Sequence, residues 1–213
     1  MSYWIRTPWL LRKFYPGRLV WRMPAEAEPA VYLTFDDGPH PRITPFILDH
    51  LAQYDAKATF FCIGKNVKAY PAAYRSILDA GHTTGNHTQH HLNGWKAGTG
   101  DYIRDITEAA GLIDNRIFRP PYGRIGLSQS HMLRSADPPW TIYMWDVLSG
   151  DFDTALSPAQ CLENVITKVR PGSVVVFHDS EKAWDRMSYA LPRVLEFCHR
   201  KNWKLKALPV PGQ

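Results

Sequence analysis

The sequence predicts an α/β fold in one globular domain, with a mainly parallel sheet that is either open or closed into a barrel. Short apolar runs typical of buried strands alternate with helical patterns along most of the chain. The length of 213 residues, with 45% hydrophobic and 21% charged residues, suits one domain with a full core. Polar motifs also follow five of the predicted strands, and parallel α/β folds place their active sites at that edge.

The first half of the predicted fold contains two strands, each followed by helical sequence. The apolar run over residues 31–35 predicts a buried strand, and the apolar stripe within residues 43–56 predicts the helix after it. Residues 58–64 predict a second buried strand. Residues 66–82 then predict one or two helical segments that end at Gly81.

The second half of the chain continues the alternation of strands and helices. Ser157 suits the N-cap of one of these helices, and Pro158 suits its first position. The predicted elements are a helix over residues 101–115, a short strand and rigid turn over 117–123, a strand over 141–147, a helix over 157–172, a strand over 172–179, a helix over 187–199 and a short strand over 203–208.

Charge and cysteine content restrict the partners and the redox environment that we expect. The net charge is +5 with a pI near 9.1, but Lys and Arg are spread along the chain without a long basic run, so we expect no nucleic-acid partner. The three cysteines lie far apart and form no CxxC pair. They predict buried free thiols in a reducing compartment.

Residues 1–29 form a separate region that mixes tryptophan and tyrosine with arginine and lysine. We expect this segment to pack on its own domain as an aromatic and basic flap, because Pro8 and Pro16 interrupt any continuous amphipathic helix. The alternative is a peripheral membrane or partner surface. No recognisable signal peptide or membrane-spanning run is present, which predicts a cytoplasmic location, with envelope association as the alternative. We also expect the chain to be a monomer.

The motif TFDDGP, at residues 34–39, places two carboxylates where a predicted strand gives way to a turn. Adjacent side chains leave the backbone in different directions. Asp36 and Asp37 are therefore suited to two neighbouring tasks, such as binding a metal and moving a proton. Taken alone, the motif is equally consistent with an ordinary surface turn.

His87 and His91 are four residues apart, so both rings face one way if this segment forms a helical turn. With Asp37, they make a set of two histidines and one carboxylate that leaves a coordination position open, as catalytic metal sites do. His90 competes as a ligand by its spacing from His87. This donor set predicts Zn²⁺, with Co²⁺, Ni²⁺, Mn²⁺ or Fe²⁺ as alternatives.

The motifs TFDDGP, HTxxH within GNHTQHH, RPPYG, GDF and FHD occur in this order. Together they resemble the NodB-homology polysaccharide deacetylases of carbohydrate esterase family 4. The resemblance covers roughly residues 30–208. It implies a distorted (β/α) barrel over residues 30–213, a single divalent metal ion and removal of N-acetyl or O-acetyl groups from an acetylated carbohydrate.

Carried over to this chain, the family pattern separates metal ligands from proton-transfer groups. It makes Asp37, His87 and His91 the metal ligands and Asp36 the general base that accepts a proton from water. The family's RPPY arginine corresponds to Arg119, which would hold Asp36 in place and lower its pKa.

The remaining motifs imply an oxyanion donor and a general acid. The resemblance gives Tyr122 the role of presenting its backbone N–H to the developing oxyanion. His178 would protonate the leaving amine or alcohol, and Asp151 would orient His178. The fourth motif departs from the family pattern, with Leu148 in place of an Asp and Phe152 in place of a Trp, which puts the shape of the substrate groove in question.

Three tryptophans, Trp95, Trp145 and Trp184, are candidates for stacking on sugars.

Two other functions are also consistent with the sequence. The same fold could hydrolyse a non-sugar amide or ureide, or the chain could be an inactive sugar-binding domain. Retention of every acid, base and ligand type favours an active deacetylase.

Overall fold

The computed structural model of the chain describes residue 5 and residues 19–24, 26–113 and 115–211. Its strands, in chain order, are β1 (Leu19–Val20), β2 (Ala30–Asp36), β3 (Thr59–Cys62), β4 (Thr83–Asn86), β5 (Ile117–Phe118), β6 (Thr141–Tyr143), β7 (Val147–Leu148), β8 (Val174–His178) and β9 (Lys204–Leu205). Its α-helices are α1 (Ile43–Ala52), α2 (Gly64–Ala69), α3 (Pro71–Asp79), α4 (Thr99–Ala110), α5 (Leu127–Ser135), α6 (Pro158–Ile166) and α7 (Trp184–Arg200).

The strands form one curled sheet in the order β1-β6-β5-β4-β3-β2-β8-β7, and β9 pairs with β2. All of these strand pairs are parallel. Strand β2 lies between β3 and β8, and every one of its residues is buried. The architecture is a distorted (β/α) barrel, as predicted.

The largest apolar cluster lies between β2, β3 and β8 and the helices that cover them. The ring of Phe35 stacks on Phe60 and Phe177, with centroids 5.0 Å and 6.1 Å apart. Leu191 and Val194 of α7 pack into the same cluster. Truncating one of these phenylalanines to alanine would lower the free energy of unfolding by roughly 3–5 kcal/mol. The cluster therefore holds β2 firmly, together with the functional side chains at its end.

The predicted strand over residues 141–147 is two strands, which corrects the sequence prediction. Strand β6 pairs with β1 and β5, whereas β7 pairs with β8 at the other end of the sheet. The chain between them brings the two ends of the curled sheet together. Asp146 stabilises this crossing, because its carboxylate accepts hydrogen bonds from Val174 N and Ser173 Oγ at 2.8 and 3.1 Å.

The sequence pattern predicts neither strand β4 nor helix α5 as a separate element. Strand β4 reads TTGN, which lacks an apolar run, and its burial comes from tertiary packing. A β-carbon at Gly85 would lie 2.6 Å from Phe61 Cδ1, so only glycine lets β4 approach β3 here. Helix α5 has a weak apolar stripe and follows a glycine-rich turn.

Part of the segment predicted as an N-terminal flap joins the sheet. Strand β1 pairs with β6, and Arg22 forms an antiparallel bridge with Ser173. Residues 1–4, 6–18 and 25 of the predicted flap, which include Trp4, Trp9 and Phe14, lie outside the described residues. The boundary at residue 30 stays a prediction. Within the described ranges, no helix is long and apolar enough to cross a membrane.

Cys62, Cys161 and Cys198 are buried and form no disulfide, as predicted. Burial raises the pKa of the Cys161 and Cys198 thiols to about 12, which keeps them protonated and unreactive at neutral pH.

Other sequence predictions agree with the structure at the level of single helices. Ser157 caps α6 by accepting a hydrogen bond from Gln160 N at 3.2 Å, and Gln160 Oε1 accepts one from Ser157 N at 2.9 Å. This reciprocal pair is a capping box. Gly81 follows α3 with a φ of 72°, which suits glycine after a helix end.

Candidate active site

The carboxyl ends of the parallel strands bring the predicted site residues together at one edge of the sheet. Asp36 and His178 are the last residues of β2 and β8, and the register pairs them directly. His87 follows β4, and Arg119 follows β5. Asp151 lies in the loop after β7. These residues are far apart in sequence, and the parallel topology makes them neighbours.

Asp36 forms a buried ion pair with Arg119, in which Arg119 Nη1 donates to Asp36 Oδ1 at 2.8 Å. The Arg119 side chain is 0% exposed. Its other hydrogen bonds go to Thr34 Oγ1 at 2.6 Å, Met144 O at 2.9 Å and Tyr143 O at 3.3 Å. The guanidinium thus holds one Asp36 oxygen in a fixed position between β2 and the β6–β7 crossing.

A compact cluster, which we call the metal group, has potential ligand atoms that all lie within 4.8 Å of one another. Its members are Asp37, His87 and His91. Asp37 Oδ1 lies 3.2 Å from His91 Nε2 and 3.7 Å from His87 Nε2. This buried oxygen takes no well-aligned hydrogen bond. A buried carboxylate oxygen that faces two imidazole nitrogens fits a divalent cation, since each atom is a metal ligand when deprotonated.

The second ring nitrogen of each histidine in this group is also in contact. His87 Nδ1 lies 2.8 Å from the Arg119 carbonyl oxygen, so Nδ1 carries the proton and Nε2 is left as an acceptor. His91 Nδ1 lies 3.1 Å from the Tyr122 hydroxyl. The carbonyl contact fixes the tautomer of His87, and the two contacts together orient both rings.

The electrostatic environment keeps these ligands ready for a cation. Burial lowers the pKa of His87 to about 4, so this imidazole is neutral at physiological pH. Burial by itself acts to raise the pKa of Asp37. The close contact with His91 and the charges of His178 and His87 outweigh it and hold that pKa below the usual value.

The backbone around the group adopts left-handed conformations that are uncommon for non-glycine residues. Asp37, Thr88, His91 and Tyr122 have φ values of 77°, 65°, 58° and 60°. The sequence makes the alignment of His87 and His91 conditional on a helical turn, and in the structure an irregular loop aligns them instead. Holding a residue in such a conformation lowers the stability of the folded state by about 1–3 kcal/mol, and the surrounding packing must offset that loss.

His90 is not part of the metal group, so the prediction that it competes as a metal ligand is wrong. Its Nδ1 lies 2.7 Å from Asp105 Oδ1, in a separate cluster with Asp105 and Glu108. The other oxygen of Asp105 accepts hydrogen bonds from Gln89 N and His90 N, both at 3.0 Å. Asp105 thus ties the loop of the metal group to α4. The sequence did not indicate this, because Asp105 has no distinguishing motif within the helix.

His178 forms a second paired unit with Asp151. The two are joined by a 2.7 Å contact between His178 Nδ1 and Asp151 Oδ1, and His178 N donates to Asp151 Oδ2 at 2.7 Å. Burial acts to lower the pKa of His178, but the Asp151 carboxylate, together with the charges of Asp37 and Asp36, outweighs it and raises that pKa to about 9. His178 is therefore an imidazolium at neutral pH, with Nε2 left to meet a substrate.

Asp179 is a buried carboxyl beside the site that sequence reasoning left without a role. It accepts a hydrogen bond from Thr44 Oγ1, and its N–H donates to Asp36 O at 2.7 Å. Burial raises its pKa to about 7. A β-carbon at Gly38 would collide with this carboxylate, which explains why glycine follows the Asp36–Asp37 pair.

Leu148 and Phe152, which differ from the family's fourth motif, both occupy well-defined positions in the structure. Leu148 is buried, and its N–H donates to Ile5 O at 2.8 Å. The Phe152 ring meets the His178 ring edge-on, with centroids 5.3 Å apart, and so forms an apolar wall beside the proposed acid. Tyr122 lies in a 3₁₀ turn over Pro121–Gly123, and its backbone role at an oxyanion stays a prediction.

The arrangement unites an ion-binding group, a carboxylate held by an arginine and an imidazolium held by a carboxylate. Metal-dependent hydrolases need these three functions within reach of one bond. The fold and the site thus define this class of enzyme.

Comparisons with known proteins identify the family. The polysaccharide deacetylase family model matches residues 24–137. A chitooligosaccharide deacetylase of Sinorhizobium fredii is 33% identical over 198 residues, covering 85% of this chain and 91% of the relative. A peptidoglycan-N-acetylglucosamine deacetylase of Bacillus cereus is 34% identical over 186 residues, covering 84% of this chain and 66% of the relative.

A solved structure supports the same assignment. The crystal structure of the Bc1960 peptidoglycan N-acetylglucosamine deacetylase superposes with a TM-score of 0.84 at 30% identity, covering 95% of each chain. The chain belongs to the polysaccharide deacetylase family, whose enzymes are metal-dependent carbohydrate deacetylases. The family resemblance and the fold that the sequence predicted are both confirmed.

Proposed function

We propose that this chain hydrolyses the N-acetyl group of N-acetylglucosamine units in an oligosaccharide or glycan strand, using one divalent ion held by Asp37, His87 and His91. The observation that carries the proposal is that this group of potential ligands lies at the same sheet edge as the Asp36–Arg119 and His178–Asp151 pairs. The named substrates of the two curated relatives support the choice of sugar. Removal of O-acetyl groups would use the same residues.

The ion we propose is Zn²⁺, because two neutral imidazoles and one carboxylate suit its ligand preferences and leave an open position. Co²⁺, Ni²⁺, Mn²⁺ and Fe²⁺ accept the same donors. A bound ion of this kind would make a water ligand more acidic and would draw charge from the acetyl carbonyl oxygen.

Asp36 is the general base in this scheme. Arg119 occupies its Oδ1, which leaves Oδ2 to accept the proton of the water that attacks the carbonyl carbon. Because Arg119 is itself held by Thr34 and by two backbone carbonyls, the carboxylate keeps its orientation while it changes charge. This fixed position is the contribution of the buried ion pair to the reaction.

His178 is the general acid. When the C–N bond breaks, His178 Nε2 donates its proton to the departing sugar amine, and acetate is the other product. The raised pKa of His178, about 9, keeps that proton in place at neutral pH. The backbone N–H of Tyr122 is the proposed donor to the oxygen on which negative charge develops.

Acetate release tests the proposal. The zinc-loaded protein is incubated with chitooligosaccharides, peptidoglycan fragments and acetylated xylan, and Asp36→Asn protein serves as the control. We expect acetate from a substrate that contains N-acetylglucosamine and little from the control. Sugar binding without acetate from any substrate would replace the proposal with an inactive sugar-binding domain, and turnover of an amide or ureide alone would replace it with a C–N hydrolase for non-sugar substrates.

The cytoplasmic location and the monomeric state are also proposals. Cell fractionation with an antibody to the native protein tests the first, and light scattering of the purified chain tests the second. Recovery in the envelope fraction would favour the peripheral surface considered for residues 1–29.

A further inference from the structure

Trp95 presents a large aromatic side chain to solvent close to the site. It is 62% exposed, whereas the other tryptophans of the described residues are buried or half-buried. Trp145 packs beside a core cluster, and Trp184 packs against Phe46. Of the three tryptophans that the sequence offered for sugar stacking, Trp95 is therefore the one with an open ring face.

The Trp95 side chain is held in one orientation although it is exposed. Its Nε1 donates to Ile125 O at 3.2 Å, and its backbone N donates to Asn93 Oδ1 at 3.0 Å. The Arg124 guanidinium carbon lies 5.2 Å from the centre of its ring. Because the ring is already ordered, a ligand that stacks on it loses little side-chain entropy.

Two loops of the site carry this ring. Trp95 lies four residues after His91, and its contacts Arg124 and Ile125 lie just after Tyr122. The Tyr122 hydroxyl joins the two loops near the metal group, through its 3.1 Å contact with His91 Nδ1. The ring therefore lies on the continuation of the same two segments that supply a metal ligand and the proposed oxyanion donor.

Gln129 joins the same two loops a second time. Its Nε2 donates to Gly94 O at 2.8 Å, and its Oε1 accepts from Gly126 N at 2.7 Å. A β-carbon at Gly94 would collide with the Arg124 carbonyl oxygen, so the close approach of the loops depends on glycine at this position. Trp95 is thus part of a rigid surface beside the site.

We propose that Trp95 binds a pyranose ring of the substrate next to the sugar that loses its acetyl group, with Arg124 donating hydrogen bonds to that sugar's hydroxyls. This inference rests on the proposed function and adds a subsite to it. The C–H face of a pyranose carries partial positive charge and meets the negative face of the indole. The subsite selects oligosaccharides over single N-acetylglucosamine.

Oligomer length provides the test. The ratio of kcat/KM for chitopentaose to that for single N-acetylglucosamine is measured in wild-type, Trp95→Ala and Trp95→Phe proteins. We expect Trp95→Ala to lower this ratio roughly 2- to 12-fold through KM, the range that an aromatic contact of 0.5–1.5 kcal/mol gives. Trp95→Phe keeps an aromatic face and should retain most of the preference.

Tyr189→Ala is the matched control, since Arg193 stacks on Tyr189 at 3.7 Å on the outer part of α7. It should leave the ratio unchanged. An unchanged ratio in Trp95→Ala, whether both kcat/KM values stay the same or fall equally, would overturn the subsite. If the wild-type protein releases no acetate, the proposed function fails, and calorimetry with chitopentaose then decides the subsite: weaker binding in Trp95→Ala supports it and equal binding overturns it.

Discussion

The two sides of the site differ in how completely their polar groups are satisfied. On one side, Arg119 and Asp36 form a buried pair in which the guanidinium also contacts Thr34 and two carbonyls, and His178 and Asp151 form a second closed pair. On the other side, Asp37 Oδ1 is buried without an aligned hydrogen bond beside two imidazoles.

This difference matches the proposed division between groups that move protons and groups that hold an ion. A proton-transfer group must stay oriented while its charge changes, and a closed pair achieves this within the chain. A metal group must keep lone pairs without partners, so its polar atoms are costly until a cation arrives. The left-handed backbone at Asp37 and His91 adds to the cost on that side alone.

The largest expected effect is the loss of the proton donor in His178→Gln. Turnover of an N-acetyl sugar should fall roughly 10²- to 10⁴-fold, because an amine cannot leave without a proton. Turnover of 4-nitrophenyl acetate should change far less, since nitrophenolate leaves unaided. Acetate release measures the first and absorbance the second. Equal losses on both substrates would show that His178 does not act as the acid.

The second-largest expected effect is a loss of stability in the Arg119→Met variant. Removing one partner of a buried ion pair leaves an uncompensated charge, and the free energy of unfolding should drop by about 3–5 kcal/mol. Urea denaturation measures this loss. The matched control is Arg42→Met, which removes an exposed 2.9 Å ion pair with Glu181 and should cost about 0–1 kcal/mol. Similar losses in both variants would contradict the closed-pair description.

Asp151→Asn should move the pH dependence of the reaction. In the proposed reaction His178 works in its protonated form, so activity should fall as pH rises through its pKa of about 9. Without the Asp151 charge, burial lowers that pKa, and the alkaline limb should move toward or below the ordinary histidine value of about 6.5. The profile of kcat/KM against pH measures the shift. An unmoved alkaline limb would assign that limb to another group.

The smallest effect is expected for Tyr122→Phe. This change keeps the backbone N–H but removes the hydroxyl that contacts His91 Nδ1, so metal affinity should weaken by about tenfold. Activity at saturating metal should be close to that of the wild type. Competition with a fluorescent zinc chelator gives the affinity. A large loss of kcat at saturating metal would show that the hydroxyl, and not only the backbone, takes part in the reaction.

The sequence predicted the site better than it predicted the loops that form it. The parallel topology follows from the alternation of strands and helices, and the five polar motifs lie at the edge where parallel strands end. The positive φ values at Asp37, His91 and Tyr122 could not be predicted, because residue type does not require them. They depend on tertiary contacts such as those of Asp105 and Asp179.

The two errors in strand prediction, at β4 and at residues 141–147, also arise from contacts between distant parts of the chain. Strand β4 has no apolar period, and its pairing with β3 is possible because Gly85 leaves room for Phe61. Residues 141–147 have one apolar pattern but serve two ends of the sheet, and the turn between them is fixed by the contacts of Asp146 with Ser173 and Val174. Such long-range contacts leave no local signal in the sequence.

The most direct test of the division between the two sides compares Asp36→Asn with Asp37→Ala. Metal content, by mass spectrometry after purification without added metal, is measured together with acetate release. We expect Asp36→Asn to keep close to one metal ion per chain and lose activity by roughly 10²- to 10⁴-fold, while Asp37→Ala loses metal and activity together. Equal loss of metal in both variants would contradict the account.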